Sequence, residues 1–165
     1  MIVVSNATPL IALASIGQFD LLERLFKEIF VSRQVWQEVV VEGNGRFGAL
    51  ETSQSPWIHI VELDDPAKLY NWTRSTPLGA GELSTILLAK QIFADLVLID
   101  ERQARKLALN DGLAIAGSIA LLESGYRRKY FNDLRQLYIQ LLGNKIRLSR
   151  RLLNESLTKF QLSPI

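Results

Sequence analysis

The sequence predicts an α/β domain in which a mostly parallel sheet is covered by helices on both faces. Two observations carry that expectation. Short, β-branched apolar runs alternate with helical stretches, the pattern of βαβ units. Polar residues cluster just after two of those runs, where open parallel sheets keep their working sites. The 165 residues, 48% of them hydrophobic and 22% charged, suit one compact unit of ordinary globular composition.

Each element has a local reason. Ile2-Val3-Val4 is a β-branched run that stops at Ser5-Asn6 and reads as a buried strand. Thr8-Pro9 supplies an N-cap candidate and a first-turn proline for a helix over Leu10 to Ser15, broken at Gly17. Asp20 to Phe26 carries leucines at helical spacing, and Ile29-Phe30-Val31 reads as a second strand. Ser32 caps a further helix through Glu42, with Val35, Trp36, Val39 and Val40 on its apolar stripe. Gly43 to Pro56 is a loop around a short helix, Trp57 to Leu63 a strand, and Asp64-Asp65-Pro66 opens a helix ending near Thr76-Pro77. Leu78-Gly79-Ala80-Gly81 leads into a helix from Glu82 to Phe93, followed by a strand from Leu96 to Ile99. Arg102 to Asn110 is helical, Leu113 to Ala116 is a strand, and Gly117 to Glu123, Asn132 to Leu142 and Ser149 to Phe160 are helices.

Composition removes several chemistries. With no cysteine there are no disulfides, thiolate nucleophiles or thiolate metal sites, and the single His59 excludes any site needing two imidazoles. His59 alternates with apolar neighbours and reads as a strand residue. No run approaches the ~18 apolar residues of a spanning helix, and the apolar start lacks a basic leader region, so a cytoplasmic protein without membrane contact is expected. Trp36, Trp57 and Trp72 suit core packing better than base stacking.

Charge is unevenly distributed. Residues 1–125 hold 10 Lys and Arg against 15 Asp and Glu, a net −5, whereas residues 126–165 hold 9 against 2, a net +7. The chain therefore divides into an acidic core, 1–125, and a basic helical extension, 126–165, packed on the same domain. Arg127, Arg128, Lys129, Arg147, Arg150 and Arg151 of the extension either hold nucleic acid, dock an acidic partner or form a solvated face.

Candidate chemistry lies in the carboxylates. Asp100-Glu101 follows one strand, Ser5-Asn6 another, Glu38 interrupts an apolar helical run, and Glu82 opens its helix after Gly79-Ala80-Gly81. Taken singly, Glu82 is explained by the helix macrodipole and Asp100 by a capping role. Converging on one sheet edge, such acids repel and require a cation, and without histidine or cysteine that cation is a hard one, Mg²⁺ or Mn²⁺. Metal-assisted phosphodiester hydrolysis follows. Arg102, Arg105 and Lys106, just beyond Asp100, either neutralise flanking phosphates or form a solvated helix face.

Four segments together resemble the PIN-domain family, in its VapC-like branch of toxin ribonucleases: Val3-Val4-Ser5-Asn6-Ala7-Thr8-Pro9-Leu10, Val35-Trp36-Gln37-Glu38-Val39, Leu78-Gly79-Ala80-Gly81-Glu82 and Leu98-Ile99-Asp100-Glu101-Arg102. The resemblance spans roughly residues 1–125, and Gly112 to Ser118 matches a final strand and turn. It implies a three-layer α/β/α fold and a Mg²⁺- or Mn²⁺-dependent endoribonuclease acting on single-stranded or structured RNA. It also implies a small antitoxin partner and a homodimer. By motif position, Glu38, Glu82 and Asp100 take three of the family's acidic positions and Thr8 its supporting hydroxyl. Asn6 stands where the first aspartate is usual. Its amide oxygen can ligate a hard cation but brings no charge, which leaves open a second expectation, a nucleic-acid or protein binding module with weakened hydrolysis.

Overall fold

In the computed structural model, which describes residues 1–165, five strands form one sheet in the order β3-β2-β1-β4-β5. They are β1 (Val3–Ser5), β2 (Ile29–Ser32), β3 (Ile58–Val61), β4 (Leu96–Leu98) and β5 (Ile115–Ala116). Every pairing is parallel, so the sheet is parallel throughout. The first three strands build outward in one direction and the last two in the other. That reversal puts β1 beside β4, with Ser5 opposite Leu98 and the Asn6 amide donating to the Leu98 carbonyl at 2.9 Å. Asn6 and Asp100 therefore emerge together at the switch point of the sheet.

Alternation along the strands divides the interior into two cores. Val3 and Leu98 point to one face, where they meet Leu10 and Leu13 of α1 (Ala7–Ser15) and Leu21 and Leu22 of α2 (Leu21–Phe26). Val4, Val97 and Ile99 point to the other, against Leu69 of α5 (Pro66–Thr73), Leu83 and Leu88 of α6 (Ala80–Gln91) and Ala104 of α7 (Arg102–Asn110). Helices on both faces of a parallel sheet make the three-layer α/β/α arrangement. The remaining helices are α3 (Arg33–Trp36), α4 (Ala49–Gln54), α8 (Ser118–Arg127), α9 (Leu134–Gly143) and α10 (Arg150–Lys159), and none is long and apolar enough to cross a membrane.

Several elements differ from expectation. The first helix begins at Ala7, so its N-cap is Asn6 rather than Thr8, and the Asn6 side chain makes no capping hydrogen bond. The helix capped by Ser32 does run to Glu42, but only Arg33–Trp36 is α-helical, and Gln37–Glu42 widens into π-helix. Three successive β-branched residues, Val39 to Val41, crowd a regular α turn, and π turns recur at functional sites. The third strand is shorter than its apolar run, covering Ile58–Val61 only. Trp36 and Trp57 pack against the first core and Trp72 against the second. His59 is half-buried on β3, facing Glu28 at 3.5 Å and the Phe30 ring.

The C-terminal segment joins the first core directly, through Leu134, Leu137, Tyr138 and Leu141 of α9 and Leu153 and Leu157 of α10. Tyr138 is fully buried, and its hydroxyl bonds Ser156 Oγ at 2.6 Å across the two helices. Burial raises the Tyr138 pKa, so the phenol stays neutral. Lys159 Nζ reaches the buried Glu123 at 3.0 Å and ties α10 to α8. Tyr138→Phe leaves Ser156 without its partner and should cost about 1–3 kcal/mol. In a melting experiment each kcal/mol corresponds to a loss of about 2–4 °C for a chain of this size.

Candidate active site

Position of the site begins at the buried hydroxyls beneath it. Ser32 caps α3 by accepting from the Val35 amide at 3.0 Å, and its hydroxyl meets Ser84 Oγ at 2.7 Å. Ser84 in turn donates to the Gly81 carbonyl at 3.0 Å, which makes Ser32 the donor to Ser84. Thr85 donates to the same carbonyl at 2.8 Å. This relay fixes the start of α3 against the first turn of α6, and so sets Glu38 relative to Glu82.

Gly81 is where the Glu38 carboxylate meets the first turn of α6. A Cβ there would lie 2.5 Å from Glu38 Oε2 and 3.6 Å from Asn6 Oδ1, so the missing side chain is space that the Glu38 carboxylate fills. Asn6 is 1% exposed, and neither its amide oxygen nor its amide nitrogen has a hydrogen-bond partner. Leaving a buried amide unpaired costs about 1–3 kcal/mol, which singles Asn6 out as a candidate ligating position. Much of Glu38 is exposed on its π turn, but its carboxyl end is shielded. That burial, and then the charges of Glu82 and Glu42, raises its pKa above the ordinary 4.5.

Asp100 is held differently. The cap of α7 is Glu101, which accepts from the Ala104 amide at 2.7 Å, leaving Asp100 free of that duty. Its two oxygens take the Ser118 amide at 2.7 Å and the Ser118 hydroxyl at 2.6 Å, at the N-terminus of α8. Burial raises its pKa above the ordinary 3.8, against the opposing Ser118 hydrogen bonds and the Arg105 charge. A Cβ on Gly117 would stand 2.6 Å from Asp100 Oδ1 and 2.9 Å from Arg105 Nη1, so this glycine too makes room for a carboxylate. Arg105 donates to the Ile99 carbonyl at 2.8 Å and stays beside Asp100. Arg102 and Lys106 are exposed.

Thr8, Glu82, Asp100, Arg102 and Arg105 line one groove of about 950 Å³. Glu38 faces a neighbouring cavity of about 890 Å³, with Glu42 and the loop from Gly43 to Phe47. Asn6 lines neither and is buried beside Gly81. Lys106 lines neither. A third cavity of about 810 Å³, around Asp64, Trp72 and Phe93, contains none of these residues. As they stand, no three acidic or histidine side chains are gathered closely enough to hold a metal ion. The donor set nonetheless fits a hard divalent cation. It offers oxygen ligands only, an orphaned amide oxygen, and carboxylates whose repulsion a cation would relieve.

The profile of a family described as a PIN domain matches residues 2–162. The chain belongs to the PIN-domain family. No curated protein matches it. PIN domains are nuclease-type folds that act on nucleic acid and typically use divalent metal ions. Of the acidic residues singled out in this PIN domain, Asp100 directly follows β4, while Glu38 lies on the π turn after α3 and Glu82 on the first turn of α6. The match continues to residue 162, through α9 and α10. Sequence reasoning gave Ser32 only as a helix cap and missed the roles of Ser84 and Ser118, which help to hold the acids in place. Ser118 had the one signal of following Gly117 directly, whereas Ser84 lies inside α6 with no local signal.

Two outcomes are expected in metal-free buffer. Gly81→Ala adds a better helix former, worth up to about 1 kcal/mol, while displacing only the flexible end of Glu38. Its melting temperature should equal or exceed that of the wild type, and any rise that added Mg²⁺ gives the wild type should be smaller or absent in the variant. Glu38→Gln removes a charge that the fold penalises. Because the folded pKa is raised, the penalty is absent below the ordinary 4.5 and complete above the folded value. The Gln variant should therefore melt above wild type at neutral pH and together with it in acid. A difference that does not change with pH would contradict the electrostatic account.

Proposed function

We propose that the protein is a Mg²⁺- or Mn²⁺-dependent endoribonuclease that cuts RNA phosphodiester bonds and acts as the toxin of a type II toxin–antitoxin pair, in the VapC-like branch. The observation that carries this reading is the unpaired, buried Asn6 amide beside the carboxylate of Glu38, at the same switch point as Asp100. Asn6 Oδ1, Glu38, Glu82 and Asp100 are the residues that would hold the cation. Such an ion, when bound, lowers the pKa of a coordinated water, orients the scissile phosphate and offsets charge on the leaving oxygen.

The chain's own groups divide the remaining work. Asp100 is fixed by Ser118 and cannot turn to follow a moving proton. Glu82 faces the same groove with no protein hydrogen bond on its carboxylate, so acceptance of the proton from the attacking water is assigned to its Oε atoms. Thr8 lines that groove and supplies a hydroxyl to the water or phosphate. Arg102 and Lys106 stand free to meet neighbouring phosphates, while Arg105 steadies Asp100. A small antitoxin and a homodimer are the partners proposed, in a cytoplasmic setting. A short open reading frame beside the gene, whose product suppresses toxicity on co-expression, is the observation that supports the pairing.

A second reading is favoured by Asn6 itself. An uncharged residue at this position, with no preformed cluster of three acidic ligands, suits a PIN-like binding module with weakened hydrolysis. Two measurements separate the readings. Wild type should cleave RNA transcripts in Mg²⁺ and stop in chelator, with Asp100→Asn or Glu82→Gln slower by about 10²-fold or more. Equal rates would remove the site assignment. Asn6→Asp should lower the Mg²⁺ concentration at half-maximal cleavage. An unchanged requirement would take Asn6 out of the metal shell.

A further inference from the structure

The loop that leaves the π turn carries an asparagine followed by a glycine, Asn44-Gly45. Gly43 joins it to the end of that turn so closely that a Cβ there would lie 2.4 Å from the Val39 carbonyl oxygen and 3.0 Å from that of Glu38. From Gly43 to Arg46 the chain reverses in a β-turn, closed by the Arg46 amide donating to the Gly43 carbonyl at 2.9 Å, with Asn44 and Gly45 as its central residues. Gly45 has φ +79° and Asn44 has no positive φ, the pattern of a type II turn, in which the central N–H takes no part in the closing bond. The Gly45 amide accordingly has no hydrogen-bond partner, the Asn44 side chain has none either, and both residues are exposed. The loop lines the same cavity as Glu38, Glu42 and Glu51, where Arg46 is the one basic residue.

We propose that Asn44 is a site of spontaneous modification, at which a succinimide closed with Gly45 converts the asparagine to aspartate or isoaspartate and adds a carboxylate to the wall of the Glu38 cavity. The Gly45 nitrogen, giving its proton to solvent, forms a bond to Asn44 Cγ. The bond from Cγ to the side-chain nitrogen breaks, and that nitrogen leaves as ammonia. Water then opens the five-membered ring at either carbonyl: attack at Cγ restores the ordinary backbone as aspartate, and attack at the backbone carbonyl routes the chain through the side chain as isoaspartate. Either product carries one negative charge where the amide carried none, and no oxidant or reductant is needed. Glycine is the residue that lets the ring close, because no Cβ shields its nitrogen. Of the seven asparagines only Asn44 precedes glycine. Asn71, Asn110 and Asn132 are exposed but precede Trp72, Asp111 and Asp133, whereas Asn6 is buried and the Asn144 and Asn154 side chains are hydrogen-bonded. The proposal holds whether or not the protein cleaves RNA.

The test incubates the full chain in warm neutral buffer and maps every asparagine by peptide mass spectrometry, with isoaspartyl methyltransferase labelling for the rerouted product. Modification should accumulate at Asn44 ahead of the other six positions, and the aged fraction should elute with Asn44→Asp on anion exchange. Asn44→Gln, whose longer side chain closes a ring less readily, should lose both signals. The added charge is read by a double-mutant cycle in metal-free, low-salt buffer: the rise in melting temperature produced by Glu38→Gln should be larger in the Asn44→Asp background than in wild type, and added salt should close the gap. An unmodified Asn44, equal modification at Asn71, Asn110 or Asn132, or an undiminished aged fraction in Asn44→Gln overturns the site. An equal effect of Glu38→Gln in both backgrounds shows that the new carboxylate is not felt by Glu38 and overturns the placement in its cavity.

Discussion

The hydroxyl relay from Ser32 through Ser84 to the Gly81 carbonyl is the contact on which the site geometry depends, because it locks two helices that would otherwise be driven apart by their own charges. Glu38 arrives on the π turn after α3 and Glu82 on the first turn of α6, and their carboxylates repel. At the contact itself no apolar side chain stands between them, since Gly81 has none and a Cβ would occupy the place of the Glu38 oxygen. Two buried serines, both 0% exposed, supply the restraint. A hydrogen bond of this kind contributes only about 1 kcal/mol net, but breaking one end leaves a polar atom stranded in the core, so the relay resists being pulled apart by more than its own strength.

Such a site is destabilising in the absence of a ligand. Burial and like charge raise the Glu38 carboxyl, burial raises Asp100 against its Ser118 hydrogen bonds, and the Asn6 amide is stranded with neither donor nor acceptor satisfied. Perturbed, buried polar groups gathered in this way are the pattern that makes this end of the sheet the candidate site. Asn6 also shows how the chain moderates them. An aspartate there would add a further buried negative charge next to Glu38, whereas the amide keeps an oxygen in place without that cost. Neutrality at Asn6 thus exchanges electrostatic attraction for a cation against stability of the empty fold.

The fold was largely legible in the sequence because the signals are local. Alternating β-branched runs gave the strands, and the Ser32 and Asp65 caps were visible as side chains that accept from the amide three residues on. The acids were legible through their places at strand ends and after Gly81. What was hidden depended on contacts between distant segments. Ser118 lies 18 residues beyond Asp100 and Ser84 lies 52 beyond Ser32, and no periodicity connects either pair. Asn6 as a cap was hidden for another reason. Thr8-Pro9 is a strong start signal, yet the backbone turns helical two residues earlier because the β1–β4 pairing ends at Asn6, and tertiary pairing outranks local preference there.

The C-terminal segment unites the two halves of the charge distribution. Its inner face carries Leu134, Tyr138, Leu141, Leu153 and Leu157 into the same core as β1 and α1, so α9 and α10 are part of the fold's support rather than an appendage. Another face of α10 turns toward Glu82 and Asp100, where its ion pairs with Glu123 and within the helix absorb most of its positive charge. The +7 of the final 40 residues is therefore not a uniform field. Pairing consumes it where α10 meets the acidic core, and Arg147 on the α9–α10 loop lines the same groove without an ion-pair partner. Selective neutralisation of this kind means that the charge of the tail acts residue by residue rather than as one field over the acidic centre.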